Sequence, residues 1–174
     1  AVASPYDEAL AELSAKLDET RLYYGSADQR AAKQRKLEAA DKLHAGASLE
    51  SRARRAAFNV SESGKANQFG ELELVEDVAG GRVDLSDLDA EELPAPLVGM
   101  EPAKQRELIE ETAKRRNELR DQIQELAAKR DGYLRQKVAE MDGAEESLDY
   151  RLYGAVREQA EKKGLSYPAS APAY

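Results

Sequence analysis

Four groups of residues have side chains that could do chemistry. His44 is the one histidine of the chain, and no cysteine accompanies it. A zinc site or a nucleophile–base–orienter triad needs partners that a lone histidine lacks, so His44 reads as a surface or partly packed residue. The acids Asp84, Asp87, Asp89, Glu91 and Glu92 are dense enough to suggest calcium. Counted from Asp87, however, the sixth position holds Glu92 where an EF-hand needs glycine, and the twelfth holds Val98. A solvated acidic connector is the plainer reading, and no tightly bound divalent metal is expected. The third group, Glu107, Glu110 and Glu111, has the look of solvent-facing partners on a helix. The fourth is basic: Arg30, Lys33, Arg35, Lys36, Lys42, Arg52, Arg54 and Arg55.

That basic set is the candidate interaction surface. Over residues 30–55 it outnumbers three acids, whereas 71–101 hold ten acids against Arg82. One reading has the acidic connector lying across the basic helix and fixing its orientation, because exposed pairs contribute only about 0–1 kcal/mol each. Another has the basic helix facing an attached domain. A nucleic-acid surface is disfavoured by the net charge of −8 and by the lack of an aromatic stacking residue between 25 and 57. No catalytic residue, cofactor ligand or metal ligand is assigned, and the chain reads as no enzyme. Thiolate chemistry and disulfides are excluded by composition.

The elements that must carry these residues are helical. Ala, Leu, Glu, Lys and Arg dominate, and these favour helix. Charged residues make up 34% of the chain, which predicts a thin core and an elongated all-α bundle. Ser4-Pro5 and the acids Asp7-Glu8 predict a first helix over about 4–24, with Tyr6, Leu10, Leu13, Leu17 and Tyr24 as its apolar stripe and Gly25 as its stop. Ser26 and Gln29 form a capping-box pattern opening a second helix over about 26–57, weakened at Gly46. Residues 59–70 read as a loop. Residues 68–79 alternate like a strand at Leu72 and Leu74, yet Phe69, Leu72, Val75 and Ala79 fit a short helix, which is favoured.

Residues 80–101 form a connector whose Val83, Leu85, Leu88, Leu93, Leu97 and Met100 predict an ordered segment pinned to the helices. Pro94 and Pro96 keep it from being one helix, and Pro102 opens the next, over about 102–141. There Ile109, Thr112, Arg116, Leu119, Ile123, Leu126, Arg130, Tyr133 and Lys137 alternate by three and four, a heptad seam degraded at its polar members. Arg116 and Arg130 would repel their copies in a symmetric dimer. The seam is therefore expected to pack inside its own chain against Leu10, Leu13 and Leu17, with each arginine head at the edge, in water or near an acid. A self-associating coiled coil is the alternative. A last helix is expected over about 145–163 after Asp142-Gly143, within a single domain over 1–167, and 168–174 read as a flexible tail. No apolar run approaches the roughly 20 residues that span a bilayer. The opening AVASPYDEAL, without Met or a basic start, reads as the cut or processed end of a longer protein.

Three stretches, "SPYDEALAELSAKLDETRLYYGS", "GRVDLSDLDAEELPAPLVGMEPAKQRELIEETAKRR" and "AVREQAEKKGLSY", resemble the region that follows the von Willebrand factor A (VWA) domain in a group of bacterial VWA-containing proteins. The match is collinear over most of 4–167 and departs at Glu101 and over 67–78. The resemblance implies a noncatalytic helical module that positions or assembles a VWA domain or another protein partner. It also implies an exported protein, periplasmic or extracellular. It carries over no metal residue, because Asp84-Leu85-Ser86-Asp87-Leu88 has leucine where the A-domain motif Asp-x-Ser-x-Ser has serine.

Overall fold

The computed structural model describes residues 2–65, 68–140 and 148–166, and among them the fold is all-α. The helices are α1 (Asp7–Asp18), α2 (Ala27–Ala45), α3 (Leu49–Asn59), the single turn α4 (Glu62–Lys65), α5 (Leu74–Ala79), α6 (Pro102–Glu140) and α7 (Leu148–Glu161). Short 3₁₀ turns at Leu85–Asp87 and Ala95–Leu97 interrupt the connector. The expected helix stop at Asp142-Gly143, the start of the last helix at 145 and the tail over 168–174 lie outside the described residues.

Helix α1 is shorter at both ends than its apolar stripe predicts. The side chain of Ser4 accepts from Tyr6 N–H (3.3 Å) but from no N–H inside the helix. The Asp7 carboxylate, in the first turn, accepts in turn from the Ser4 backbone N–H (2.8 Å) and hydroxyl (2.8 Å). At the other end, residues 21–25 leave the helix to pair with the segment before α5. Leu74 N–H donates to the Leu22 carbonyl (2.8 Å), and Tyr24 N–H to that of Leu72 (3.1 Å). This one bridge is the remnant of the strand-like alternation at Leu72 and Leu74. It also holds Leu72 at φ 60°, a left-handed backbone that costs a leucine energy unless its surroundings impose it.

The capping box at Ser26 forms as the sequence indicates, with Ser26 N–H donating to Gln29 Oε1 (2.8 Å) and Gln29 N–H to Ser26 Oγ (3.3 Å). The helix it opens is nevertheless broken. Gly46 ends α2, and Ser48 starts α3 by accepting from Ser51 N–H. The break turns α3 so that Ala53 and Ala56 are wholly buried against α1. Gly64 then allows α4 to close on α3, since a Cβ there would lie 1.9 Å from the Phe58 carbonyl oxygen.

Helix α6 is the spine, about 58 Å long at 1.5 Å per residue. Its middle packs Leu119 and Ile123 against Leu10 and Leu17 of α1, with Ala53, Ala56, Val60 and Phe69 completing one apolar core. Nearer its N-terminus, Ile109 joins Leu74, Val75, Leu85, Leu93 and Leu97 in a second. The seam thus packs within the chain. The connector is ordered and pinned by Val83 and its leucines, with Met100 exposed instead of packed, and it lies on α5 and the start of α6, not across the basic helix. Arg30 Nη1 reaches the backbone carbonyls of Gly25 (2.7 Å) and Glu91 (2.6 Å), and no connector carboxylate pairs with α2 among the described residues.

The seam arginines are not at an edge. Arg116 is 1% exposed and forks onto Glu73, itself wholly buried, through Nη2–Oε1 (2.6 Å) and Nη1–Oε2 (2.7 Å). Its Nε donates to Thr20 Oγ1 (2.8 Å) and its Nη2 to the Thr20 carbonyl (2.6 Å). Glu73 also accepts from Leu22 N–H (2.8 Å) and caps α5 through Glu76 N–H (2.9 Å). The Phe69 ring lies 4.3 Å from the Arg116 guanidinium, with Arg120 and Arg21 at 5.4 and 5.5 Å. Farther along, Arg130 Nε donates to Asp7 Oδ1 (2.7 Å), again with both groups buried. Burial alone would raise the Asp7 pKa, but the hydrogen bonds from Arg130 and Ser4 outweigh it and hold the carboxyl below its ordinary 3.8. Asp7 therefore stabilises the fold fully above that value, and the contribution is lost as pH falls through the lower folded pKa.

Two stability outcomes follow from this packing. Leu93→Ala, which truncates a connector leucine only 7% exposed, should cost about 2–5 kcal/mol in urea denaturation. A change below about half a kcal/mol would mean the connector is a loose strap. Arg116→Met leaves Glu73 buried without its counter-charge and should cost about 3–5 kcal/mol. A loss under about 1 kcal/mol would instead match a solvent-screened pair.

Candidate functional site

The eight basic residues do not form one surface. Arg30 is spent on backbone carbonyls, and Lys33 lies half-buried with its Nζ 5.7 Å from the Tyr23 ring centroid. Arg35 and Lys42, seven residues apart, share the exposed outer face of α2, with Lys36 beside them. Arg54 is exposed on α3, and Arg52 and Arg55 turn toward α1 and α2.

Arg52 and Arg55 there line a cleft of about 610 Å³. Its floor is the small-residue side of α1, Ala11, Ser14 and Ala15. One wall is α2, with Leu37, Asp41 and His44, and the end is closed by Asp18, Glu19 and Arg21 where α1 unwinds. The cleft exists because α2 has a weak apolar stripe. Ala32, Leu37 and Ala40 are half-buried, and no described residue of α2 is fully buried, so the helix stands off from α1.

Charges crowd this cleft in both signs. Burial raises the Asp18 carboxyl above its ordinary value, although Arg21, Arg55 and His44 pull it down. Burial also lowers the His44 pKa, with Arg55 adding to the effect while Asp18 and Asp41 oppose it. Asp18 pairs with Arg21 Nη2. The Arg21 side chain is nine-tenths buried, and its Nε has no hydrogen-bond acceptor. Perturbed groups gathered in a cleft make this the candidate site among the described residues.

Arg52 and Arg55 belong to the basic set read from sequence. The roles of Asp18, Arg21, Asp41 and His44 were not visible there, because each looks like an ordinary helix-surface residue until the break at Gly46 folds α3 back beside α1. Among the described residues no three His, Cys, Asp or Glu side chains are grouped to hold a metal ion, and no helix is long and apolar enough to cross a membrane.

The depressed His44 pKa has a defined consequence. The unfolded chain binds the His44 proton at higher pH than the folded chain does, so stability from this group is full above the ordinary 6.5 and falls as pH drops through that value. In proton NMR the His44 ring should titrate with a midpoint below 6.5, and Arg55→Ala should move that midpoint upward. A midpoint at or above 6.5 in the unmodified chain would contradict the buried setting. No family model, curated protein or solved structure matches this chain.

Proposed function

We propose that the chain is a noncatalytic helical scaffold that holds a neighbouring protein domain through the outer face of α2. The observation that carries this reading is the helix itself. Over 19 residues α2 has no fully buried described residue, and its single side-chain pair one turn apart is Gln34–Glu38. A helix with so weak an apolar stripe and so few internal pairs is suited to bridging between domains. Arg35, Lys36 and Lys42 give that face positive charge, which suits an acidic protein surface. Support for a fixed scaffold comes from the two buried ion pairs, which set the azimuth of α6 against α1 and α5.

The partner we propose is a VWA domain joined N-terminally, on the strength of the resemblance in residues 4–26 and 81–116. The alternative of a coiled coil between two copies is disfavoured because Ile109, Leu119 and Ile123 are already covered within the chain. Extending the reading frame upstream and crosslinking the joined protein with an amine-reactive reagent tests the proposal. Links from the upstream VWA domain to Lys36 or Lys42 are expected. An upstream sequence without such a domain, or links confined to α6 and α7, would overturn it.

A further inference from the structure

We propose that the cleft between α1, α2 and α3 binds a small zwitterion, its carboxylate or phosphate group held by Arg52 and Arg55 and its ammonium group facing Asp41 and Glu19. The cleft, about 610 Å³, falls within the range of roughly 300–1,000 Å³ usual for small-molecule sites. Arg52 and Arg55 are exposed residues three apart on α3, so both guanidinium groups reach the cleft from one helix face. Neither side chain donates a hydrogen bond or forms an ion pair among the described residues. A planar guanidinium fork with unused donors is matched in shape and charge by a carboxylate or phosphate.

The opposite charges are unused as well. Asp41 on α2 and Glu19 at the end of α1 are exposed and have no ion-pair partner among the described residues. They stand on elements other than α3, so the arginines of one helix share the cleft with acids supplied by α1 and α2. Asp18, the remaining acid, is paired with Arg21 and lies in the field of Arg55 as well, and the buried Arg21 side chain adds positive charge from the end of the cleft. A simple anion would meet Asp41 and Glu19 unfavourably, and a simple cation would meet the arginines. A ligand carrying both charges satisfies both sets.

Calorimetry on the whole chain tests this with β-alanine and phosphoethanolamine, which share a two-carbon spacing and differ in the oxyanion. Acetate (for β-alanine), inorganic phosphate (for phosphoethanolamine) and ethanolamine serve as half-ligands. At least one zwitterion is expected to bind with a Kd of about 1 mM or tighter and about tenfold more strongly than either half. The tighter of the two identifies the oxyanion. R52A and R55A should each weaken binding about tenfold. D41N should erase the advantage of the zwitterion over its anionic half. Far-UV circular dichroism checks that the variants remain helical. Amide chemical-shift changes on the unmodified chain provide a readout that does not depend on the variants, and these should centre on Arg52, Arg55 and Asp41. No heat with either zwitterion up to about 10 mM, equal binding of the corresponding anionic half, or shifts centred elsewhere would overturn the proposal.

Discussion

The fork of Arg116 onto Glu73 joins three parts of the chain that have little else in common. Arg116 comes from the middle of α6, Glu73 from the turn before α5, and Thr20 from the unwound end of α1. Each polar atom of the cluster has a partner, and that is what makes the burial tolerable, because an ion taken from water is costly until its lone pairs and protons are satisfied. Apolar contacts alone are non-directional and would allow α6 to rotate or slide against α1. The bidentate pair allows one azimuth and one register. Its worth therefore lies in geometry more than in net stability.

The two apolar cores sit on either side of this cluster along α6, with Ile109 in one and Leu119 and Ile123 in the other. Phe69 belongs to the core of Leu119 and Ile123 and lies against the Arg116 guanidinium, so one aromatic face both fills the core and covers the buried charge. At the far side of that core, Arg130 and Asp7 repeat the device on a smaller scale. Helix α2 shares in neither arrangement. It is fixed at its start by Arg30 and the capping box, and the rest of it stands off the body. The cleft and the exposed basic face are the two sides of that one helix, so the candidate ligand site and the candidate partner surface have a common physical origin.

How much of this could be read in the residues depends on the range of the interaction. The long helix, its start at Pro102, the capping box at Ser26 and the leucines of the connector follow from local signals, because capping and periodicity act within a turn or two. The stripe Leu10–Leu17 and its partners Leu119 and Ile123 were legible for the same reason. The end of α1 was not. Tyr24 continues the stripe in sequence, but the backbone of 22–24 is claimed by Leu72 and Leu74, some fifty residues away. Nor was the position of the connector: its acids pointed to the basic helix, whereas its leucines find Leu74, Val75 and Ile109. Burial of several leucines outweighs exposed charge pairs.

The sequence by itself determined that the chain is helical, where its longest helix begins, and that it has no thiol chemistry. Composition, caps and apolar spacing fix these within one segment. Only the tertiary structure decided the fate of the charges. Arg116 and Arg130 read as blemishes in a heptad seam, yet they are buried anchors because Glu73 and Asp7 meet them from elsewhere in the chain. Arg52 and Arg55 read as part of a basic run, yet they face a cleft with Asp41 across it because the chain breaks at Gly46. A charge has no directional periodicity of its own. Whether it is solvated, buried or poised for a ligand depends on which group lies opposite it in space.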